Sequence, residues 1–307
     1  MVKSWAFFGQ EFGPPFIIGS KFGSIWTSPD NGVTWAIAET LTGGPTINAN
    51  AITKIGTAYI IGTSSNTFYR ATPGMEGFVN SFSGGGFNTS VINGAGLYLV
   101  GRNQLNPLYW STPDLVTFTS RTAPFPGGSG ISQTALNYTG SYFIAGSSGS
   151  NTPTISRSLD GINWEDTRTI GDGTGSTTGC VSMQHVGGRY LANVSGEGIY
   201  SSVDFITWGR VHVISQSVYE YAFNGVNTIV ASCDSGRIAT STDGGATWTT
   251  QTVGVIPWTT AKWVPAWGVF VVTSPTTSAQ SIATSPDGIT WTQRAHPATG
   301  FNCSAVR

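Results

Sequence analysis

Six aspartates, Asp30, Asp114, Asp160, Asp204, Asp243 and Asp287, each stand two residues after a Ser or Thr. Three or four residues later comes a Thr or Asn, followed at once by Trp or Phe. A carboxylate so placed accepts backbone N–H bonds two or more residues on, which makes it a turn staple before it is an acid or base. The remaining acids are Glu11, Glu39, Glu76, Glu165, Asp166, Asp172, Glu197, Glu220 and Asp234. Glycoside hydrolysis needs two carboxyl groups about 5–10 Å apart across a pocket. Asp172 and Glu197 are the pair to test for that role. Glu165 and Asp166 directly follow an aromatic strand start and read as a solvated pair, whereas Glu220 lies between two tyrosines on an inner strand. No nucleophile elbow or phosphate loop occurs. Cys180, Cys233 and Cys303 are odd in number and far apart, and His185, His212 and His296 lie near no Cys or carboxylate cluster. No catalytic residue, metal site or cofactor is therefore assigned, and the thiols are expected to be buried.

Stacking is the other chemistry on offer. Outside the repeated turns stand Trp5, Trp26, Trp110, Trp258, Trp263 and Trp267. Exposed Trp stacks on sugar rings and anchors protein interfaces. Trp258, Trp263 and Trp267 cluster around a loop and an inner-strand turn, and are the candidate binding residues. The competing reading is that they fill a gap between sheets.

What must position these groups is a repeat. The aromatics that close the turns fall at 35, 78, 118, 164, 208, 248 and 291. A period of roughly 40–45 residues made of short strands is the signature of propeller blades. The copy at 72–78 has Gly74 in place of Asp, yet it keeps the period. The expected fold is all-β, a seven-bladed β-propeller of four-stranded antiparallel blades, with residues 1–307 as one domain. In the second repeat the strands are read as Ala49–Ile55, Ala58–Gly62, Thr67–Ala71 and Gly77–Ser81. Equivalent second strands are Phe16–Gly19, Leu97–Gly101, Tyr142–Gly146, Tyr190–Val194, Thr228–Ser232 and Val269–Thr273, apolar enough to be covered on both faces. A ring must join its ends. Gly300–Val306 copies Gly86–Ile92 and is the favoured innermost strand of the first blade, although Trp5–Gly9 fits the same slot. Long loops such as 40–46, 83–87, 123–130 and 170–178 share one rim with 101–107, 147–153 and 274–280, and the Asp turns lie on the opposite rim.

Ser28-Pro-Asp30-Asn-Gly32-Val-Thr34-Trp35 and Ser241-Thr-Asp243-Gly-Gly245-Ala-Thr247-Trp248 resemble the Asp-box, S-x-D-x-G-x-T-W, of sialidases, sortilin-type receptors, photosystem assembly factors and many phage proteins. The copies at Asp114, Asp160, Asp204 and Asp287 are one residue shorter. The resemblance implies an architecture shared by families with unrelated chemistry. Sialidases of this kind hold their substrate with three arginines, the first in Arg-Ile-Pro ahead of the first box. This chain has no Arg before Arg70 and no such tripeptide.

Charged residues make up 9% of the 307 and the net charge is −1. No long-range field is available to gather nucleic acid or an anionic membrane. The 11 Trp, 16 Phe and 10 Tyr supply ample core. No stretch approaches the roughly 20 apolar residues of a membrane helix, and the N-terminus lacks a signal peptide pattern. A charge-poor surface on a chain without secretion features suits a phage virion component. The expected function is a non-enzymatic tail or fibre propeller whose partners are other virion proteins or a host-surface glycan. A glycan-processing hydrolase and an assembly factor on the same scaffold are the alternatives.

Overall fold

Short apolar runs broken by Gly, Asp and Ser leave too little uninterrupted sequence for helix, and strands form instead. The computed structural model describes residues 16–20, 23–40, 47–55, 58–63, 67–71, 78–83, 88–102, 108–114, 116–125, 130–131, 135–148, 153–172, 179–296 and 300–306. Strands β1 (Phe16–Ser20), β2 (Ser24–Thr27) and β3 (Ala36–Thr40) open the chain. Next come β4 (Ile47–Ile55), β5 (Ala58–Thr63), β6 (Thr67–Ala71) and β7 (Phe78–Ser83). Then follow β8 (Asn88–Gly94), β9 (Leu97–Arg102), β10 (Leu108–Thr112) and β11 (Thr119–Thr122). A fourth group holds β12 (Gly130–Ile131), β13 (Asn137–Tyr138), β14 (Phe143–Ser148), β15 (Thr154–Ser158) and β16 (Glu165–Thr169). After it come β17 (Cys180–Val186), β18 (Arg189–Val194), β19 (Gly198–Ser202) and β20 (Gly209–Val213). The next group is β21 (Val218–Phe223), β22 (Ile229–Cys233), β23 (Arg237–Ser241) and β24 (Thr249–Thr252). The last strands are β25 (Thr260–Val264), β26 (Val269–Thr273), β27 (Ile282–Ser285), β28 (Thr292–Arg294) and β29 (Phe301–Val306).

Neighbouring strands pair antiparallel within each group, and inner strands meet in the order β29, β4, β8, β13 with β14, β17, β21, β25 and back to β29. The fold is an all-β propeller. The expected seven four-stranded blades need correction, because six sheets have that form and the sheet β12–β16 does not. It is five-stranded, with an inner edge in two pieces. Gly130 and Ile131 pair with Ser148 and Ser147, whereas Asn137 and Tyr138 pair with Ile144 and Phe143. The two pieces differ in register by three residues, and the second register extends to Ala135, whose O accepts from Gly146 N at 3.1 Å. The cause is visible in the spacing: 118 to 164 is the longest interval between closing aromatics. The extra residues interrupt the inner strand.

β29 lies innermost against β1, with Ile17 opposite Ala305 and Gly19 opposite Cys303. The C-terminal segment is thus the clasp. The alternative, Trp5–Gly9, and the degenerate turn at 72–77 lie outside the described residues, as do the loop stretches 41–46, 84–87, 103–107, 126–129, 149–152 and 173–178. Cores sit between sheets. Ala222, Val230, Phe270 and Val272 fill one gap, and Phe16, Ile18, Val264, Val271 and Phe301 fill the next. Second strands such as β22 are buried along their whole length.

Candidate functional site

The Asp turns are built almost entirely from their own hydrogen bonds. Ser28 Oγ donates to Asp30 Oδ1 at 2.9 Å and accepts from Gly32 N at 2.7 Å. Asp30 accepts at Oδ1 from Thr34 N and at Oδ2 from Thr34 Oγ1, both at 2.7 Å. Trp35 Nε1 then donates back to Gly32 O at 3.2 Å. The same set recurs around Asp243, where Trp248 Nε1 meets Gly245 O at 3.1 Å. In the shorter copies at Asp160 and Asp287 the residue after Asp carries positive φ, Gly161 at 71° and Gly288 at 76°. At the equivalent position Phe205 takes φ 66° without being Gly. Burial of its ring between Tyr190 and Trp208 offsets a backbone cost of about 1–2 kcal/mol.

These turns also seal one blade to the preceding one. Gly288 O accepts from Thr240 Oγ1 at 2.7 Å and from Gln251 Nε2 at 3.2 Å. Tyr109 OH donates to Gly161 O at 2.8 Å and accepts from Trp164 Nε1 at 2.9 Å. The carboxylates are correspondingly acidic. The hydroxyl and N–H of Thr247 hold Asp243 at about 2, and the N–H groups of Thr117 and Val116 hold Asp114 at about 2. Groups ionised this firmly carry no proton near neutrality, so general acid catalysis is beyond them.

On the loop rim the tested pair is brought together, but around a backbone. Glu197 is buried and accepts at Oε2 from Tyr200 OH at 2.6 Å and from Asp172 N at 2.9 Å. Asp172 itself pairs with Arg210 at 2.8 Å. Burial, and then the hydrogen bond to Glu197, push the Tyr200 hydroxyl up. The arrangement fixes the entry of the 170–179 loop. Glu220 is likewise engaged: Oε2 accepts from Ala261 N at 2.9 Å and Oε1 pairs with Lys262, tying β21 to β25. Arg157 and Arg168 both bind Asp166. Among the described residues no group of three or more His, Cys, Asp or Glu is placed to hold a metal ion. Cys180 and Cys233 are buried, which pushes both thiols up to about 12 and leaves them unreactive.

The three candidate binding tryptophans are not brought together on one surface. Trp258 is 0% exposed, and its Nε1 donates to Val253 O at 2.8 Å. The loop carrying it turns inward over the gap between the β21–β24 and β25–β28 sheets, so it is core. Trp263 is half-buried in the same gap, tilted on Phe270 at 4.7 Å. Trp267 lies in the next gap, edge-on to Phe16 at 5.6 Å and Trp35 at 6.1 Å. Its indole also rests against the turn at Gly32, which places it on the Asp-turn rim. What the sequence reading missed is aliphatic: Val116, Leu159, Ile162, Val203 and Ile206 are exposed in the Asp turns themselves. Their place in a surface turn was the available signal.

The model of the DUF6242 beta propeller domain matches residues 112–285, more than half of the chain. The chain belongs to the DUF6242 β-propeller family. No curated protein matches it. Solved structures resemble this DUF6242 propeller in fold. YCF48 bound to D1 peptide superposes with a TM-score of 0.61 at 17% identity, covering 84% of this chain and 85% of that one. A chain of the mitotic checkpoint complex gives a TM-score of 0.62 at 7% identity, covering 84% and 86%. BamB from Moraxella catarrhalis gives 0.59 at 12% identity, covering 91% and 88%. Identities this low establish the fold of this DUF6242 member alone. Among the described residues no helix is long and apolar enough to cross a membrane.

Proposed function

We propose that this DUF6242 propeller is a non-enzymatic binding protein with a protein partner, and that its Ser–Asp turns are Asp-boxes. The supporting observation is the fate of the acids. Glu197 spends its carboxylate on Tyr200 and the Asp172 backbone, and Asp172 on Arg210. Hydrolysis needs one such group protonated and one open to substrate or water. YCF48, a propeller of the same fold, is seen bound to a peptide. With only 9% charged residues, the composition favours a virion setting, where neighbouring virion proteins are the partners. Sialidase and general glycosidase assays on wild type, Asp172→Asn and Glu197→Gln test the reading. The expected result is no turnover by any of the three, and turnover that either substitution abolishes would overthrow it.

A further inference from the structure

Among the described residues, the large aliphatic side chains exposed to water are concentrated on the rim opposite the long loops. Val116, Leu159, Ile162, Val203 and Ile206 occupy the Asp turns of three consecutive blades, Val116 at 75% and Val203 at 66% exposed. Val33 and Ile289 repeat the position in their own blades. The described part of the loop rim shows Val213 and Val255. The turns do not need these side chains. Asp114, Asp160 and Asp204 take N–H bonds from the backbones of Val116, Ile162 and Ile206, and the matching position at Ala246 works with a methyl group. Apolar surface left in water on successive turns of one rim marks a contact site.

The charge of this arc decides what covers it. Asp114, Asp160 and Asp204 stand exposed beside the aliphatics, and hydrogen bonds hold each near a pKa of about 2. Of the nearby cations, Arg157 and Arg168 are committed to Asp166, and Arg121 and Arg189 donate to Ser111 and Ser201. A second copy of this rim would bring like carboxylates together, which disfavours self-association. Resting on the reading of the chain as a binding protein, we propose that the docking face is this Asp-turn rim, and that its partner is a protein segment presenting aliphatic side chains flanked by Lys or Arg. The aliphatics give the contact area, and the fixed carboxylates give orientation.

The test uses two labelled amphipathic peptides, one of leucine and lysine and one of leucine and glutamate, followed by fluorescence anisotropy. The full chain should bind the leucine–lysine peptide, more weakly as salt rises from about 50 to 500 mM, and ignore its acidic counterpart. Val116→Ser/Ile162→Ser/Ile206→Ser should weaken binding about tenfold at unchanged melting temperature. Val213→Ser/Val255→Ser, on the loop rim, should bind as wild type. Equal binding by the triple variant, equal binding of the acidic peptide, or no binding of either peptide overturns the proposal. Loss confined to the loop-rim variant also overturns it and leaves the binding reading standing. Turnover lost in Glu197→Gln is the separate result that removes that reading.

Discussion

Replacing Trp258 with Ala should test where the core of the propeller lies. The indole is fully buried between the β21–β24 and β25–β28 sheets, against Val253, Ala261, Phe270 and Val272. Truncation of a buried Trp or Phe to Ala costs about 3–5 kcal/mol when the surroundings relax little, and the rigid ladders on either side allow little. The Val253 carbonyl also loses its donor, worth about 1 kcal/mol within that range. With an unfolding entropy of about 2.1 cal/mol/K per residue, 307 residues give a fall in melting temperature of about 5–8 °C. Trp258→Phe keeps most of the contact and should cost about 1–2 kcal/mol. Urea unfolding followed by tryptophan fluorescence and far-UV circular dichroism measures both variants at unchanged m-value. A loss below about 1 kcal/mol for Trp258→Ala would refute the placement and restore Trp258 to the surface.

Acid should unfold the protein through the Asp turns. Asp114, Asp160, Asp204 and Asp243 sit near 2 in the folded state, below the roughly 3.9 of an unfolded Asp. The unfolded chain binds more protons in between, so stability is constant above about pH 5 and falls from about pH 4 toward 2; Asp243→Asn should flatten part of that fall in a pH series of melting temperatures. Lys262→Met leaves the Glu220 carboxylate buried with the Ala261 N–H as its donor and should cost about 3 kcal/mol in urea. Adding Glu220→Gln should recover a large share, because the amide still accepts from Ala261 N. Deleting Phe301–Arg307 removes the clasp and bares β1, and light scattering should then report aggregation where the intact chain is monodisperse.

The strand plan was legible because burial on both faces enforces apolar runs at each blade period. The second repeat shows it: Ala58–Gly62 and Thr67–Ala71 appear as β5 and β6 to within one residue. The split inner edge of the β12–β16 sheet was not legible, since a longer interval says that residues were added and not which strand they break. The placement of the candidate tryptophans was not legible for a different reason. Whether a loop Trp faces water depends on the gap beneath it, and the gap that Trp258 enters exists only once its two flanking sheets have packed on each other. Trp267 could have been placed on the correct rim, because first-to-second and third-to-fourth turns of an antiparallel sheet share one end.

The joint between β1 and β29 sets the order in which the ring can be assembled. Pairing Ile52 with Ile61 closes a loop of nine residues, whereas pairing Ile17 with Ala305 closes one of 288. The entropic difference is about 3 kcal/mol, charged to a single step. Hairpins within blades and contacts between adjacent blades therefore form early and propagate along the chain like a one-dimensional array. The circle is the slow event. Until it happens the molecule is an open arc with a bare edge at β1, and its residence time in that state, rather than the stability of any blade, governs how much of it reaches the closed form.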